Sequence, residues 1–394
     1  MVGVTSAGDP LPVRVVFVTG PPESATARTA ELAGLDGWTG RDVPTALVPT
    51  AAGWLAGYDM GGGAEGLSAM VDEQTFLAAL RVVTDAPYRH VADAAGARVV
   101  VDTVPDDAVS LATVRRLYPD ATVLSPDDAA PPADTGSVLR TVPPRDSTTG
   151  RHLVVVVGSG RSGTTWLHRL LTAHPAVTGT DDGETWMFNG VGRFWQAHQR
   201  DGAAGLGAWL PADALLTALR ACCDALLEAG RHNLRPDATH FVEKTPAHVW
   251  QLPLLARLYP DAAYVHLLRD GRDVALSLSR VEGSERGPGP AAAAWAAAVR
   301  AVRAAAPALT RFTEVRYERL LAAPVDEAGR VIRWLGLEDD AAFRAEASVR
   351  AGARVSPLPS TGQVGAGKWR DLDPTSLAEV DAAAGDLLAE LGYA

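Results

Sequence analysis

Residues 154–167 read VVVVGSGRSGTTWL, and this stretch decides the fold. Its four consecutive valines form a short apolar run, which is typical of a strand buried on both faces of a parallel sheet. The glycines that follow predict a tight turn, and Leu167 and Leu171 fall on one face of a predicted helix. A buried strand, a glycine-rich turn and a helix N-terminus form an anion site, because backbone N–H groups point inward and the helix dipole adds positive charge.

The turn has the glycine spacing of a nucleoside triphosphate-binding loop but lacks the lysine of that loop. Gly158 and Gly163 are correctly spaced, yet the residue after the second glycine is Thr164. Arg161, inside the turn, can supply the positive charge as a planar fork, which suits a phosphate held without a metal. The sequence therefore predicts a phosphate site centred on Arg161, and a purely structural turn is the less favoured explanation.

The same pattern occurs earlier in the chain, which indicates an internal duplication. Three pairs of segments share a near-constant offset of 140 or 141 residues: RVVFVTG at 14–20 with VVVVGSG at 154–160, VDTVP at 101–105 with VEKTP at 242–246, and RLYPDA at 116–121 with RLYPDA at 257–262. Each copy reads as alternating strands and helices, and the second continues well beyond the first. The first copy is therefore predicted to be partial.

The predicted fold is α/β, with a P-loop-like parallel sheet covered by helices on both faces, preceded by a degenerate half-copy of the same architecture. Residues 126–150 are rich in Pro, Ser, Thr and Asp, which is typical of a linker. The predicted parts are thus the partial repeat at 1–125, this linker, and the complete domain at 151–394.

Composition excludes several classes of function. The chain has 394 residues and a formal net charge of −11, which argues against binding to nucleic acid or an anionic membrane surface. The two cysteines, Cys222 and Cys223, are adjacent and give neither a disulfide framework nor a CxxC motif. With no long apolar run and no targeting segment visible, a cytoplasmic location is expected. The nine histidines show no metal-ligand spacing, so no metal is expected.

The glycine-rich stretch resembles the 5′-phosphosulfate loop of the sulfotransferases that use 3′-phosphoadenosine-5′-phosphosulfate (PAPS), which reads Arg/Lys-Ser-Gly-Thr-Thr-Trp/Leu. The resemblance implies that PAPS is the co-substrate and that the loop residues contact it: Gly160, Arg161, Ser162, Gly163, Thr164, Thr165 and Trp166.

Three later segments resemble other donor-binding parts of the same family. YVHLLRDGRDVALS at 264–277 is similar to the 3′-phosphate segment, which implies that Arg269 and Ser277 hold that phosphate. An Arg at the carboxyl end of a strand and a hydroxyl two turns into the next helix can converge on one anion. By the same resemblance, VRYERL at 315–320 and GAGKWR at 365–370 place Tyr317 and Lys368 near the nucleotide.

Sulfuryl transfer also needs a base that takes the proton of the acceptor. The segment TGTDDGET at 178–185 resembles the tyrosylprotein branch of the family, in which a Glu before Thr is the general base. The resemblance therefore assigns Glu184 as the base, with Asp181 and Asp182 as weaker substitutes.

A cation is needed for the charge that builds on the leaving oxygen. FVEKTP at 241–246 matches the segment that carries the transition-state lysine of the family, which assigns Lys244 beside Arg161 as a catalytic cation. Cytosolic members carry a basic His two residues after this lysine, but Pro246 stands there in this chain. His248 is therefore an alternative base.

The predicted function is transfer of a sulfuryl group from PAPS to a hydroxyl or amine of a small-molecule acceptor. Half of the ten tryptophans lie between the loop and the segment just after Lys244: Trp166, Trp186, Trp195, Trp209 and Trp250. They indicate either a cleft for an apolar or aromatic acceptor or core packing, and core packing is favoured for most of them. The alternatives are a P-loop kinase or nucleotidase and a non-catalytic nucleotide-binding regulator, although a regulator needs neither Glu184 nor Lys244.

The first copy lacks the cations of the second. Pro21, Thr103 and Asp128 stand at the positions of Arg161, Lys244 and Arg269. The first copy is therefore expected to be a scaffold, a dimer-like partner of the second copy or a part of the acceptor site, and the sequence leaves these three roles open.

Overall fold

Short hydrophobic strands alternate with amphipathic helices along the chain. The structure is a computed structural model, and it describes residues 12–41, 43, 45–60, 66–132, 134–140, 148–181, 184–281, 287–352 and 365–393. Residues 133 and 141–147 of the predicted linker at 126–150 and one of the substitute bases, Asp182, lie outside these residues.

The helices and strands are as follows, in chain order. The first part contains β1 (Arg14–Val18), α1 (Pro22–Ala33), β2 (Trp38–Gly40), α2 (Leu47–Met60), α3 (Glu73–Ala95), β3 (Val99–Thr103), α4 (Ala108–Leu117), β4 (Thr122–Leu124) and β5 (Ser137–Val138). The later part contains α5 (Thr149–His152), β6 (Leu153–Val157), α6 (Thr164–Leu171), β7 (Val177–Thr178), α7 (Met187–His198), α8 (Ala212–Leu234), β8 (His240–Lys244), α9 (Leu252–Leu258), β9 (Ala263–Leu268), α10 (Gly271–Ser279), α11 (Pro288–Ala305), β10 (Arg311–Arg316), α12 (Tyr317–Ala322), α13 (Pro324–Trp334), α14 (Ala341–Gly352) and α15 (Pro374–Glu390). Short 3₁₀ helices span Leu67–Ala69, Leu206–Ala208, Pro246–Gln251, Ala306–Ala308 and Lys368–Asp371.

The chain divides into two units, and neither is continuous in sequence. The first comprises residues 1–60, 71–146 and 189–226, and the second comprises 61–70, 147–188 and 227–394. Because both units are discontinuous, they do not coincide with the predicted ranges 1–125 and 151–394, and that division stays a prediction.

Each unit is built on its own sheet. In the first unit the strand order is β2-β3-β1-β4, with parallel pairing along this path and β5 antiparallel to β1. In the second unit the order is β10-β9-β6-β8-β7, and every pairing is parallel. With β1 to β4 matched to β6 to β9, the two orders are the same apart from the added β10. This agreement supports the internal duplication, which stays a prediction.

Helices cover both faces of the second sheet, as predicted. On one face, Val154 and Val156 of β6 belong to an apolar cluster with α6, α13 and α14. On the other face, the Tyr264 hydroxyl donates to the carbonyls of Leu255 and Tyr259 at α9, at 3.0 and 2.9 Å. A second cluster joins α10, α11 and α15, with the buried Trp295 at its centre. The fully buried valine run of β6 follows from this double cover.

The parallel pairing also positions the functional residues. All five strands of the second sheet end at the same edge, so the segments that follow β6, β7, β8, β9 and β10 meet there. In open α/β sheets ligands bind outside this carboxyl edge.

Candidate functional site

The turn between β6 and α6 wraps tightly around the N-terminus of the helix. Gly163 precedes α6 in the left-handed conformation with φ of 99°, and a Cβ there would come within 2.7 Å of the Tyr317 ring. Arg161 also has a positive φ, of 70°. Thr164 and Thr165 are the first two helical residues, whose N–H groups lack an intrahelical acceptor by geometry. The turn therefore offers backbone donors to an anion at the start of α6.

The predicted donor residues from separate segments come together beside this turn. Arg161 Nε donates to Ser277 Oγ of α10 at 3.0 Å, which links the two residues assigned to different phosphates. Arg269, just past β9, donates from Nη1 to the Arg161 carbonyl and from Nη2 to the Gly365 carbonyl, each at 2.9 Å. Burial and the neighbouring Arg269 guanidinium lower the pKa of Arg161, and burial and Arg269 likewise lower the pKa of Lys368. Arg161, Arg269 and Lys368 therefore share one site, and a bound anion would stabilise the positive charge of each of them.

The Tyr317 ring packs against this cluster of cations. The ring is buried, lies 4.3 Å from the Arg269 guanidinium carbon and packs edge-on against Trp166 at 6.1 Å. Tyr317 begins α12 immediately after β10, so the strand end fixes its position. Its role in orienting Arg269 and in filling the space beside Gly163 could not be deduced from the sequence.

A buried carboxylate attaches the late glycine-rich segment to α10. Asp273 accepts N–H groups from Gly367 at 2.8 Å and from Trp369 at 2.9 Å, and lies 3.7 Å from Arg269. The Arg272 guanidinium stacks on the Trp369 ring at 3.8 Å. These contacts place Lys368 beside the cation cluster. Asp273 was not among the predicted site residues, although an acidic residue four positions after Arg269 is a detectable signal of an ion pair.

The two predicted catalytic groups, Glu184 and Lys244, are in contact. Lys244 ends β8, pairs in register with Val156 of β6, and donates from Nζ to Glu184 Oε1 at 3.4 Å. The lysine side chain is 2% exposed and the glutamate 29% exposed, so only the glutamate has appreciable access to solvent. Burial raises the pKa of Glu184, although Lys244 acts to lower it. A carboxylate with a raised pKa is a stronger proton acceptor.

His248, the alternative base, is fully buried. Its Nδ1 lies 2.7 Å from Glu243 Oε2, and its Nε2 has no hydrogen-bond partner among the described residues. Burial acts to raise the pKa of Glu243, but His248 and two threonine hydroxyls lower it overall. Of the substitute carboxylates, Asp181 is exposed, whereas Glu184 is partly buried against Lys244.

The five tryptophans of the candidate acceptor cleft have different environments. Trp209 is completely buried in the first unit, as core packing requires, and Trp166 and Trp195 are partly buried. Trp186 and Trp250 are exposed, at 47% and 55%. Trp186 also has a φ of 54°, the left-handed region that a large side chain rarely adopts.

Within the described residues, no group of three or more His, Cys, Asp and Glu side chains is arranged to hold a metal ion. None of the described helices is long and apolar enough to cross a membrane. Both cysteines are free thiols and buried.

Comparison with known proteins finds a family match in the later part of the chain. Residues 154–341 match the model of the Sulfotransferase family. Nodulation protein NoeE of Sinorhizobium fredii is 32% identical over 225 residues, which are 46% of this chain and 49% of that protein. The chain thus spans about half the length of this curated relative.

Similar solved structures include the sulfotransferase domain of the Synechococcus PCC 7002 olefin synthase, with a TM-score of 0.41, 19% identity and coverage of 62% of this chain and 98% of that one. Sulfotransferase STF9 of Mycobacterium avium has a TM-score of 0.40 and 16% identity, with coverage of 62% of this chain and 78% of that one. The similarity to the sulfotransferase family thus lies in residues 154–341 of this chain.

Proposed function

We propose that this protein transfers a sulfuryl group from PAPS to a hydroxyl or amine of a small-molecule acceptor. The observation that carries the proposal is the contact between Glu184 and Lys244 at the sheet edge where Arg161, Arg269 and Lys368 also gather. A proton acceptor and a cation side by side, next to a site for several negative charges, are the groups that sulfuryl transfer requires.

The cation cluster fits a donor with negative charge at both ends. The turn at the start of α6 supplies N–H groups and Arg161 for the 5′-phosphosulfate, while Arg269 and Lys368 suit the 3′-phosphate. Two buried polar atoms support this fit, because Ser162 Oγ and Arg269 Nε have no hydrogen-bond partner among the described residues. Buried donors are nearly always paired, so these two atoms are available to a bound anion.

The chemistry is a single displacement at sulfur. Glu184 takes the proton of the acceptor hydroxyl or amine as the acceptor atom forms its bond to sulfur. The bond between sulfur and the 5′-phosphate oxygen breaks, and Lys244 and Arg161 neutralise the charge that develops on that oxygen. The products are the sulfated acceptor, 3′-phosphoadenosine-5′-phosphate (PAP) and a proton.

Glu184 suits the role of base better than His248. The imidazole of His248 is fully buried and its Nδ1 is engaged by Glu243, whereas Glu184 is partly exposed and touches the catalytic lysine. An acceptor can therefore approach the Glu184 carboxylate without rearrangement of the core.

Incubation with ³⁵S-labelled PAPS and a panel of hydroxylated and aminated small molecules, in excess EDTA, tests the proposal. We expect transfer of the label to at least one acceptor with equimolar formation of PAP, unaffected by EDTA. A P-loop kinase or nucleotidase would instead consume a nucleoside triphosphate and lose activity with the chelator. A non-catalytic regulator would bind PAP without forming it from PAPS.

A further inference from the structure

Two adjacent residues of β8, Glu243 and Lys244, contact the two adjacent residues Thr185 and Glu184 of the segment that follows β7. Because side chains alternate along a strand, Glu243 and Lys244 point to opposite faces of the sheet. Lys244 contacts Glu184 at 3.4 Å, and the Glu243 carboxylate accepts the hydroxyl of Thr185 at 2.7 Å. The pair Glu184–Thr185 therefore straddles the end of the strand.

The Glu243 carboxylate is fully buried and is the centre of this attachment. Besides Thr185, it accepts the Thr245 hydroxyl at 2.7 Å and contacts His248 Nδ1 at 2.7 Å. The Thr245 oxygen in turn accepts the N–H of Trp186 at 3.3 Å, in the residue whose φ is 54°. The network thus fixes the backbone directly after Thr185, including its strained residue.

The first unit contains the same attachment without a base. Its buried Asp102, at the position of Glu243 in the predicted repeat, accepts the hydroxyl of Thr45 at 3.0 Å. Thr45 precedes Thr185 by 140 residues, and each threonine oxygen also accepts the N–H two residues further on, at 3.0 and 3.3 Å. In both units, therefore, a threonine bonded to a buried carboxylate fixes the corresponding segment. In the second unit Glu184, the proposed base, lies directly before that threonine.

We propose that Glu243 is a positioning residue for the transfer reaction, which holds Glu184 against Lys244 through Thr185 and Thr245. The inference rests on the proposed role of Glu184 as base. Misplacement of a reacting group by about 1 Å costs about 100-fold in rate. Loss of the attachment should therefore lower kcat while the donor site, built on other segments, keeps its affinity for PAPS.

The charge of Glu243 adds a second signature. The titratable groups that face Glu184 are Lys244, Glu243 and His248, and of these Glu243 acts to raise the pKa of Glu184. Removal of the Glu243 charge should therefore move the acid limb of the kcat profile to lower pH. A purely structural role in folding would leave that limb unchanged.

The test measures PAP formation from PAPS with 2-naphthol as the probe acceptor, in the full chain. We expect Glu243→Gln to lower kcat about 10- to 100-fold, with the KM for PAPS within about twofold of wild type and the acid limb at lower pH. Thr185→Val, which keeps the carboxylate and the shape of the side chain, should lower kcat in the same direction and covers the case in which Glu243→Gln does not fold.

Two variants serve as matched controls. Glu314→Gln removes another carboxylate bound to a histidine Nδ1, that of His266 at 3.1 Å, and Thr45→Val removes the equivalent hydroxyl of the first unit. Both should keep kcat within about twofold of wild type. The inference is overturned if Thr185→Val retains full kcat, or if the controls lose as much activity as the variants.

Failure of the proposed function is recognised separately, because wild-type protein would then form no PAP from PAPS with any acceptor of the panel described above. In that case the carboxyl ¹³C signal of Glu184, assigned with Glu184→Gln, still reports the attachment. Its titration should move to lower pH in Glu243→Gln and stay in place in Glu314→Gln, and an unchanged titration in Glu243→Gln overturns the inference.

Discussion

Replacement of Arg269 by alanine should weaken the binding of PAP much more than that of adenosine 5′-phosphate, which lacks the 3′-phosphate. Arg269 already uses Nη1 and Nη2 on the carbonyls of Arg161 and Gly365, and its plane is stacked on Tyr317. Its Nε is buried and has no partner among the described residues. The side chain therefore has its charge and one remaining donor available for the proposed contact with the 3′-phosphate.

The magnitude follows from these contacts. A hydrogen bond to a charged group contributes about 1.5–3 kcal/mol, and about 1.4 kcal/mol corresponds to tenfold in affinity. Loss of the Arg269–phosphate contact should thus weaken PAP about 10- to 150-fold. Loss of the bond from Arg269 to the Arg161 carbonyl loosens the turn, at about 0.5–1.5 kcal/mol, and weakens both ligands equally. The ratio of the two losses is the diagnostic quantity.

Isothermal titration calorimetry with PAP and adenosine 5′-phosphate measures this ratio. Arg303→Ala is the matched control, because Arg303 is an exposed arginine paired at 3.5 Å with Glu314, and it should change neither Kd. Equal losses for the two ligands in Arg269→Ala would show that Arg269 only shapes the turn, and would refute its assignment to the 3′-phosphate.

Four further substitutions and one pH profile have distinct expected outcomes. Glu184→Gln should lower kcat by about 10²–10⁴-fold with little change in the Kd of PAP, and His248→Asn should have a smaller effect; the reverse order in folded protein would make His248 the base. Since burial raises the pKa of Glu184 and the base acts deprotonated, wild-type kcat should fall as the pH drops through that raised pKa, measured as a pH–rate profile. Trp186→Ala should raise the KM of an aromatic acceptor such as 2-naphthol and leave the Kd of PAP unchanged, whereas an unchanged KM would remove this exposed ring from the acceptor site. Burial raises the pKa of Asp102 to about 6 in the folded protein, so wild-type stability falls as the pH rises from about 4 to above 6; Asp102→Asn should therefore gain up to about 3 kcal/mol relative to wild type over that range in denaturant titrations, and a constant difference would contradict this.

Local sequence was enough to predict the central strand and the turn. The valine run at 154–157 is continuous because β6 is covered on both faces, and the glycine spacing is imposed by contacts that a side chain would block. A Cβ on Gly158 would lie 2.6 Å from the carbonyl of Leu267. Such constraints act through the nearest strand and helix, so they leave a pattern that can be read within a short window.

Contacts between distant segments left no comparable pattern. The bond from Arg161 to Ser277 joins residues 116 positions apart, and the sequence resemblance assigned them to different phosphates. The roles of Asp273 and Glu243 were not predicted from the sequence. Each is a buried carboxylate whose oxygens accept hydrogen bonds from a distant segment of the chain. Their function depends on which segment crosses the strand end, and that is set by the strand order of the sheet rather than by neighbouring residues.

The two units separate the framework of the site from its chemistry. The first sheet repeats the order of β7, β8, β6 and β9, and Asp102 holds Thr45 as Glu243 holds Thr185. Yet this sheet has no lysine at the end of its β3, where Thr103 stands and binds Thr29 at 2.7 Å. Since the carboxylate–threonine attachment persists where the base and the lysine are absent, it must stabilise the crossing segment in its own right. On the proposed roles of Glu184 and Lys244, the reactive pair of the second unit needs only these two side chains in addition to an edge that the fold already fixes.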